Sequence, residues 1–214
     1  MKYIEKQAPP PEWIEHKNPE AWVDQDGNPM SWTYEKDVPH ELKDLLKQRL
    51  ISEQGGICGY TGIRILLENS HVEHVKPRNQ CINHEDVDYA NLIAAYPSGG
   101  NCEFGAIAKG GWYEAENFIT PLQIECETAF VYIANGEVKG QPDNPAAQKT
   151  VEVLNLDCSE LRRIRKEVID SIFEIPLTRE EVVNYIKSLD LRDSNGLFLP
   201  FSFVLKFVLH SYLL

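Results

Sequence analysis

The 214-residue chain is long enough for one sizeable hydrophobic core. Its 43% hydrophobic and 25% charged residues are ordinary values for a soluble globular protein. The net charge is −12, and acidic residues outnumber basic ones in each of the segments 1–54, 55–112 and 113–214. This charge argues against a protein that grips nucleic acid unaided, because phosphate binding normally needs a positive surface. Either the chain leaves nucleic acid alone, or a partner supplies positive surface and a divalent metal supplies local charge.

The N-terminus and the cysteines indicate a reducing compartment. Residues 1–5 lack the apolar segment of a secretory signal. The five cysteines are odd in number and widely spaced, unlike a disulfide framework. We therefore expect a cytoplasmic protein with buried thiols and no membrane contact. A structural zinc is not expected, because Thr61 stands where a Cys-x-x-Cys pair begun by Cys58 needs its second thiol, and Cys102 has no companion nearby.

Residues 1–54 are predicted to form a wrapping arm followed by a helix. Residues 1–38 are rich in proline, tryptophan and charge, and residues 26–29 are typical of a turn. Pro39 then begins a helix that runs to about Gln54, with leucines on one face and a pair of glycines after its end. Three tryptophans are expected to pin the arm across a surface: Trp13, Trp22 and Trp32.

Residues 55–112 are predicted to form a compact core. The segment from Ile57 to His74 is interpreted as a β-hairpin, because apolar residues alternate along it before a turn-forming Glu-Asn-Ser. Pro77 keeps the second strand short. A loop follows, then an apolar run, Leu92 to Tyr96, and a glycine-rich segment over residues 98–102.

Residues 113–214 are predicted to be mostly helical after a second hairpin. The strands of this hairpin, 130–133 and 137–138, meet at an Asn-Gly turn. We expect this region to bind a partner. Three further helices are predicted: one over 146–154, one N-capped by Asp157 with Glu160 as its capping-box partner, and one from a Thr178 cap to Leu189.

The C-terminal segment 201–214 is apolar on nearly every side. It is too short to span a bilayer comfortably. A helix that is apolar all round must be buried. The sequence leaves open whether it is buried in this chain's own core or in a partner.

One short segment concentrates groups that handle protons and metal ions. Residues 71–77 read HVEHVKP, and Asn91 follows His74 by about seventeen positions. This pattern is typical of a small metal-dependent nuclease site. His74 is suited to be the general base, because the ordinary pKa of histidine lies near the operating pH. Glu73 offers the hard oxygen atoms that Mg²⁺ or Mn²⁺ prefers, and Asn91 is expected to brace the loop between hairpin and helix.

Strand geometry leaves two alternatives for the metal ligands. Neighbouring side chains of a regular strand point to opposite faces, so Glu73 and His74 reach one ion only if the strand ends or bulges there. Pro77 favours an early end. If the strand stays regular, His71 and Glu73 share a face, and His71 is the better ligand. A purely structural alternative is also open, in which both histidines are hydrogen-bonded to Glu73 and to loop backbone.

Together with flanking motifs, these residues resemble the HNH endonuclease subunit of Septu and retron-associated anti-phage systems, the PtuB type. The resemblance extends from the N-terminus to about residue 175. Family members often carry Cys-x-x-Cys where this chain has Cys58 and Thr61, so the resemblance implies that a zinc knuckle is missing. The other matching pieces are MKYI with Pro9-Pro10, LISEQGGICGY at 50–60, Asn91-Leu92, Lys109-Gly110 with Trp112-Tyr113, Asn135-Gly136, and Leu154-Asn155-Leu156.

The resemblance implies a metal-dependent endonuclease with a ββα-metal (HNH) core. It also implies partners: an ABC/SMC-type ATPase subunit of the PtuA type and, in retron versions, a reverse transcriptase with its RNA–DNA hybrid. By position, His74 corresponds to the catalytic histidine, Glu73 to the acidic metal ligand, and Asn91 to the middle asparagine. The last metal ligand corresponds to Asn101, or to Ile107 in an alternative alignment that would leave the site either impaired or completed by another group.

We therefore predict an α+β protein with an HNH core, an N-terminal arm and a mostly helical C-terminal region. Its predicted function is hydrolysis of phosphodiester bonds with Mg²⁺ or Mn²⁺ inside an anti-phage complex. The rival hypothesis is a catalytically degenerate adaptor that only binds the ATPase. The predicted site comprises the catalytic His74; the metal ligands Glu73, Asn101 and His71; the orienting Asn91; and the nucleic-acid-binding Lys76, Arg78 and Lys109.

Overall fold

The computed structural model describes residues 1–17, 26 and 33–213. Within these residues the protein is α+β, with eight α-helices and two small antiparallel two-stranded sheets. The strands are β1 (His71–His74), β2 (Leu92–Ala95), β3 (Phe130–Tyr132) and β4 (Val138–Gly140). The helices are α1 (Pro11–His16), α2 (Tyr34–Asp37), α3 (His40–Glu53), α4 (Gly105–Lys109), α5 (Pro145–Val153), α6 (Ser159–Phe173), α7 (Arg179–Ser188) and α8 (Ser202–Leu213).

One hydrophobic core joins the N-terminal arm, both sheets and the C-terminal helices. Its members come from all three predicted segments: Met1, Leu50, Ile93, Phe130 and Leu205 are each at most 1% exposed. Burial of this many large apolar side chains is the main favourable contribution to folding. The segments 1–54, 55–112 and 113–214 therefore share a core.

The arm that precedes α3 is tied to it by a buried carboxylate. The Glu53 side chain is 0% exposed. Its oxygens accept hydrogen bonds from Lys6 Nζ at 2.7 Å, from the backbone N–H of Gln7 at 2.7 Å and from the Tyr89 hydroxyl at 3.0 Å. Trp13 is buried in the core, as expected of a residue that pins the arm. Trp22, Trp32 and residues 27–29 of the predicted turn lie outside the described residues.

The helix predicted over residues 39–54 is confirmed as α3. It ends where Gly55 and Gly56 adopt φ values of 60° and 68°, a region that favours glycine. The guanidinium of Arg192, from the C-terminal region, donates to the Glu53 carbonyl at 2.7 Å. This bond satisfies one of the carbonyls that a helix end leaves without a partner.

The hairpin predicted over residues 57–74 is wrong. Its first half forms a single isolated bridge, and β1 pairs with β2 instead. The Asn69 side chain accepts from the Leu66 amide at 2.7 Å and donates to the Arg64 carbonyl at 3.2 Å. These bonds close a turn and occupy backbone groups that a strand would need for pairing. The apolar run at Leu92–Ala95, buried throughout, supplies the partner strand.

Side chains complete the outer edge of β2. Gln54 accepts from the Ala94 amide at 2.6 Å and donates to the Ala94 carbonyl at 2.9 Å. Lys6 Nζ donates to the Leu92 carbonyl at 3.1 Å. The buried backbone groups of β2 are thereby satisfied, as buried polar groups must be. The strand is held in place from both sides, which fixes the position of β1 and of the side chains it carries.

The second predicted hairpin and all three helices predicted after it are confirmed. β3 and β4 pair around the Asn135-Gly136 turn, and α5 covers the predicted helix at 146–154 within one residue at each end. Thr178 and Glu181 form a reciprocal capping box at the start of α7. Each side chain satisfies the other residue's backbone amide.

The predicted N-cap at Asp157 is wrong. α6 begins at Ser159, and Cys158 is its N-cap residue without a side-chain capping bond. The Asp157 carboxylate instead accepts from the Val138 amide at 3.0 Å and from Arg162 Nε at 2.9 Å. Burial acts to raise the pKa of Asp157, but these two contacts outweigh it and hold the pKa below its ordinary value. The charged partner outcompetes the helix amide.

Residues 201–209 of the C-terminal segment pack into this chain's own core, whereas residues 210–212 are exposed. α8 packs against α6, α7 and β3. This packing explains why the segment is apolar on nearly every side. None of the described helices is long and apolar enough to cross a membrane. The buried residues of α8 are Ser202, Val204, Leu205, Val208 and Leu209.

Candidate functional site

A groove of about 890 Å³ runs along β1. All four residues of the strand line it, and residues of α2 and α3 form the opposite wall. The groove thus brings the predicted base, His74, and two of the predicted ion ligands, His71 and Glu73, to one surface. The residues that line it are Thr33, Tyr34, Glu35, Lys36, Lys43, His71, Val72, Glu73, His74, Pro77, Arg78, Asn79, Asp86 and Gly110.

His71 and Glu73 form a pair on one face of β1. The strand keeps a regular register, and His71 Nε2 lies 3.7 Å from Glu73 Oε2. The other ring nitrogen, Nδ1, donates to the Pro97 carbonyl, so in the neutral ring the lone pair is on Nε2. Metal-binding histidines are commonly oriented by such a bond to a carbonyl. The geometry therefore corresponds to the second of the two ligand alternatives, the one with a regular strand.

The charge state of His71 depends on this pairing. Burial acts to lower the pKa of His71, but the Glu73 carboxylate and the Pro97 carbonyl outweigh it. The pKa of His71 is therefore raised above 6.5. A bound cation would have to displace this proton, since a metal ligand must be neutral imidazole.

His74 is held between a backbone carbonyl and an aromatic ring. Its Nε2 lies 2.8 Å from the Asp86 carbonyl, which can only accept, so Nε2 carries the proton and Nδ1 of the neutral ring is left as an acceptor. The Tyr34 ring packs edge-on against the imidazole with centroids 4.9 Å apart. Burial lowers the pKa of His74 below 6.5. The ring is therefore neutral at neutral pH, the state a general base requires.

Lys109 is an internal cation beside Glu73. Its side chain is 1% exposed, and Nζ donates to the carbonyls of His74 and Val75 at 3.1 and 3.2 Å. Nζ also lies 2.8 Å from Glu73 Oε1, yet this buried oxygen has no hydrogen-bond partner of suitable geometry. The two observations are consistent if the N–H bonds of Lys109 point at the two carbonyls and the ammonium attracts the Glu73 carboxylate by charge alone. Lys109 is buried, so it does not fit the predicted contact with nucleic acid.

Asn91 holds together the loop that follows β1. Its Oδ1 accepts from the Lys76 amide at 2.7 Å, and its Nδ2 donates to the carbonyls of Lys76 and Glu85 at 3.0 and 3.1 Å. Neighbouring Asp86 supplies the carbonyl that orients His74. Asn91 therefore acts on the site through the loop backbone.

The two candidates for the last metal ligand do not reach the pair on β1. Asn101 is exposed and does not line the groove. Ile107, on α4, has no ligand atom; α4 approaches Glu73 through Lys109 instead. Within residues 1–17, 26 and 33–213, no group of three or more His, Cys, Asp or Glu side chains is arranged to hold a metal ion.

The pair on β1 nevertheless fits part of a metal site. Neighbouring octahedral ligands on bonds of about 2.1 Å lie about 3.0 Å apart, so His71 Nε2 and Glu73 Oε2, which are 3.7 Å apart, would have to move about 0.7 Å closer to bind one ion. The remaining positions would belong to water and substrate, as Mg²⁺ usually requires. An imidazole and a carboxylate are also a suitable donor set for Mn²⁺.

The cationic side chains near the groove differ in accessibility. Arg78 lines the groove and pairs with Glu35. Lys76 pairs with Glu85 outside the groove lining. Sequence reasoning missed two further lysines on the opposite wall, Lys36 and Lys43, together with Tyr34 and Asp86. Only the chain fold reveals them, since they lie more than ten positions from the HVEHVKP motif or act through a backbone atom.

Comparison with models of known protein families and with curated proteins finds no match to this chain.

Proposed function

We propose that the chain is a metal-dependent HNH-type endonuclease that hydrolyses phosphodiester bonds of nucleic acid. One observation carries the proposal: a single four-residue strand bears a histidine whose Asp86 bond leaves Nδ1 as an acceptor, and an imidazole–carboxylate pair on the same groove. The order β1, loop, β2 and α4 along the chain supports a ββα-metal core. Hydrolysis is faster when the base and the ion ligands are held in fixed positions relative to the substrate.

The proposed chemistry uses the side chains as follows. Nδ1 of His74 accepts a proton from the attacking water, while the Asp86 carbonyl keeps the ring in place and accepts the remaining N–H bond of the imidazolium. His71 and Glu73 would hold a Mg²⁺ or Mn²⁺ ion. Such an ion, when bound, stabilises the negative charge that develops on the phosphoryl and leaving oxygens. Arg78 on the groove contacts substrate phosphate.

We further propose that the chain works as the effector of an anti-phage complex. Its net charge of −12 opposes tight binding of nucleic acid by the isolated chain. Partners of the implied kind would supply that affinity and control: an ABC/SMC-type ATPase of the PtuA type, and in a retron a reverse transcriptase with its RNA–DNA hybrid. This setting also accounts for an acidic surface beside a nuclease groove.

A second candidate function is a non-catalytic adaptor that retains the nuclease fold to bind the ATPase. The specific observation in its favour is the position of Lys109, whose ammonium lies 2.8 Å from the carboxylate proposed to bind the ion. An adaptor would tolerate such a neutralised carboxylate, because no ion would need to bind there.

The proposed function is tested by ion dependence. The purified chain, alone and with its ATPase, is incubated with DNA or RNA in MgCl₂, MnCl₂ or EDTA. We expect cleavage only with ion, and we expect Glu73→Gln to raise the half-saturating ion concentration by about tenfold or more. Glu41→Gln, an exposed change on α3, is the matched control. Cleavage that persists unchanged in EDTA would contradict the proposal.

The pH dependence of cleavage is expected to change with ion concentration. At limiting ion, protonation of His71 competes with the ion, so activity is lost as the pH falls through a pKa raised above 6.5. At saturating ion, the remaining loss comes from protonation of His74, whose pKa is lowered below 6.5. The midpoint of the acid limb should therefore move from above to below 6.5 as MnCl₂ is raised. A midpoint that stays fixed would exclude these roles.

A further inference from the structure

The buried ammonium of Lys109 is placed to control the charge of the ion site. Three oxygen atoms surround it, at 3.1, 3.2 and 2.8 Å: the carbonyls of His74 and Val75 and Oε1 of Glu73. An ammonium has three donors, and burial of a charged one is tolerated only where such oxygens surround it. Lys109 is thus a residue of α4 whose ammonium contacts the end of β1.

The two oxygens of Glu73 have different surroundings. Oε1 is buried near Lys109, whereas Oε2 is directed to His71 Nε2 at 3.7 Å. A divalent ion bound by Oε2 and His71 would share the carboxylate with the ammonium. Two positive groups that share one carboxylate repel each other, and the repulsion is large at short separation in a partly buried site.

We propose that Lys109 is a positioning residue that keeps the ion affinity of the His71–Glu73 pair low in the free chain. This inference rests on the proposed function, because it assumes that the pair is an ion site. The carboxylate's negative charge is already compensated, so the ion binds weakly until a substrate phosphate adds negative charge to the groove. Ion binding and nucleic-acid binding are thereby coupled, which prevents the free effector from becoming loaded.

The experiment measures Mn²⁺ binding to the full chain by calorimetry, without nucleic acid. Lys109→Gln removes the charge and retains an N–H donor for the carbonyls. We expect this variant to bind Mn²⁺ about tenfold or more tightly than wild type, and Lys109→Arg, which keeps the charge, to bind like wild type. Lys149→Gln makes the same change in net charge at a half-buried residue of α5, away from the groove, and should leave the affinity within about twofold.

Folding of each variant is checked by thermal unfolding, and Lys109→Met replaces Lys109→Gln if the latter does not fold. On wild type itself, the ¹⁵N-ammonium resonance of Lys109 should shift when Mg²⁺ is raised far enough to load the weak site without nucleic acid. A folded neutral variant that binds Mn²⁺ no more tightly than wild type overturns the proposal, as does an unshifted resonance. If wild type still cleaves with ion, the proposed function survives this result. If wild type neither binds Mn²⁺ nor cleaves, the proposed function fails as well.

Discussion

His74→Ala should lower the rate of phosphodiester cleavage by about 10²- to 10⁴-fold, the range usual for loss of a general base. The imidazole is the only proposed proton acceptor on the groove, and its Nε2 bond to the Asp86 carbonyl leaves Nδ1 for the water. Alanine leaves His71 and Glu73 unchanged. We therefore expect Mn²⁺ binding to persist while the rate falls.

This result is measured as single-turnover cleavage, together with protection of cells against phage by the proposed anti-phage complex. His210→Ala, an exposed histidine on α8, is the matched control and should cleave like wild type. Binding of the proposed ATPase partner and the melting temperature are recorded for both variants. The His74→Ala variant could fold, bind the partner, and still cleave and protect as well as wild type. That result would favour the adaptor hypothesis over the endonuclease hypothesis.

Glu53→Ala should destabilise the protein by about 3–5 kcal/mol, as expected when one member of a buried ion pair is removed. The carboxylate accepts bonds from Lys6, the Gln7 amide and the Tyr89 hydroxyl. All three donors would lose their hydrogen-bond acceptor in a largely buried part of the protein. Urea denaturation measures the free energy of unfolding, and the slope of the transition should stay constant.

Two controls separate the buried network from a general effect of charge. Glu41→Ala, an exposed acidic residue on the same helix, should change stability by less than about 0.5 kcal/mol. The double variant Lys6→Met with Glu53→Leu replaces the ion pair by apolar groups. Its loss in free energy of unfolding should be smaller, by at least about 1 kcal/mol, than the sum of the losses of Lys6→Met and Glu53→Leu measured singly. Strict additivity would show that the two side chains do not interact.

Elements whose signals are local could be predicted from the sequence. The Thr178 cap of α7 and the leucine face of α3 were predicted correctly, because the groups that interact are within a few positions of each other. The partner of β1 was not, because two apolar segments compete for it and the choice depends on the turn that Asn69 closes. Asp157 was misassigned for a similar reason, since Arg162 draws its carboxylate away from the helix end.

The candidate site shows the same division. The period of two along a strand predicted that a regular β1 would put His71 and Glu73 on one face, and their atoms are 3.7 Å apart. The orientation of His74 depends on the backbone carbonyl of Asp86. Every residue has a carbonyl, so the sequence could not predict this contact. Lys109 looks in sequence like a solvated lysine, yet it is 1% exposed. Only the packing of α4 against β1 reveals that role.

The side-chain edge of β2 has a consequence for how the protein meets other chains. Gln54 uses both backbone groups of Ala94, Lys6 binds the Leu92 carbonyl, and the Leu92 amide bonds to Tyr89. A foreign strand would find no free donor or acceptor there, so extension of this sheet by an added strand, the usual route to edge-to-edge aggregation, is blocked at β2. Any subunit that docks along this side must recognise side chains and shape.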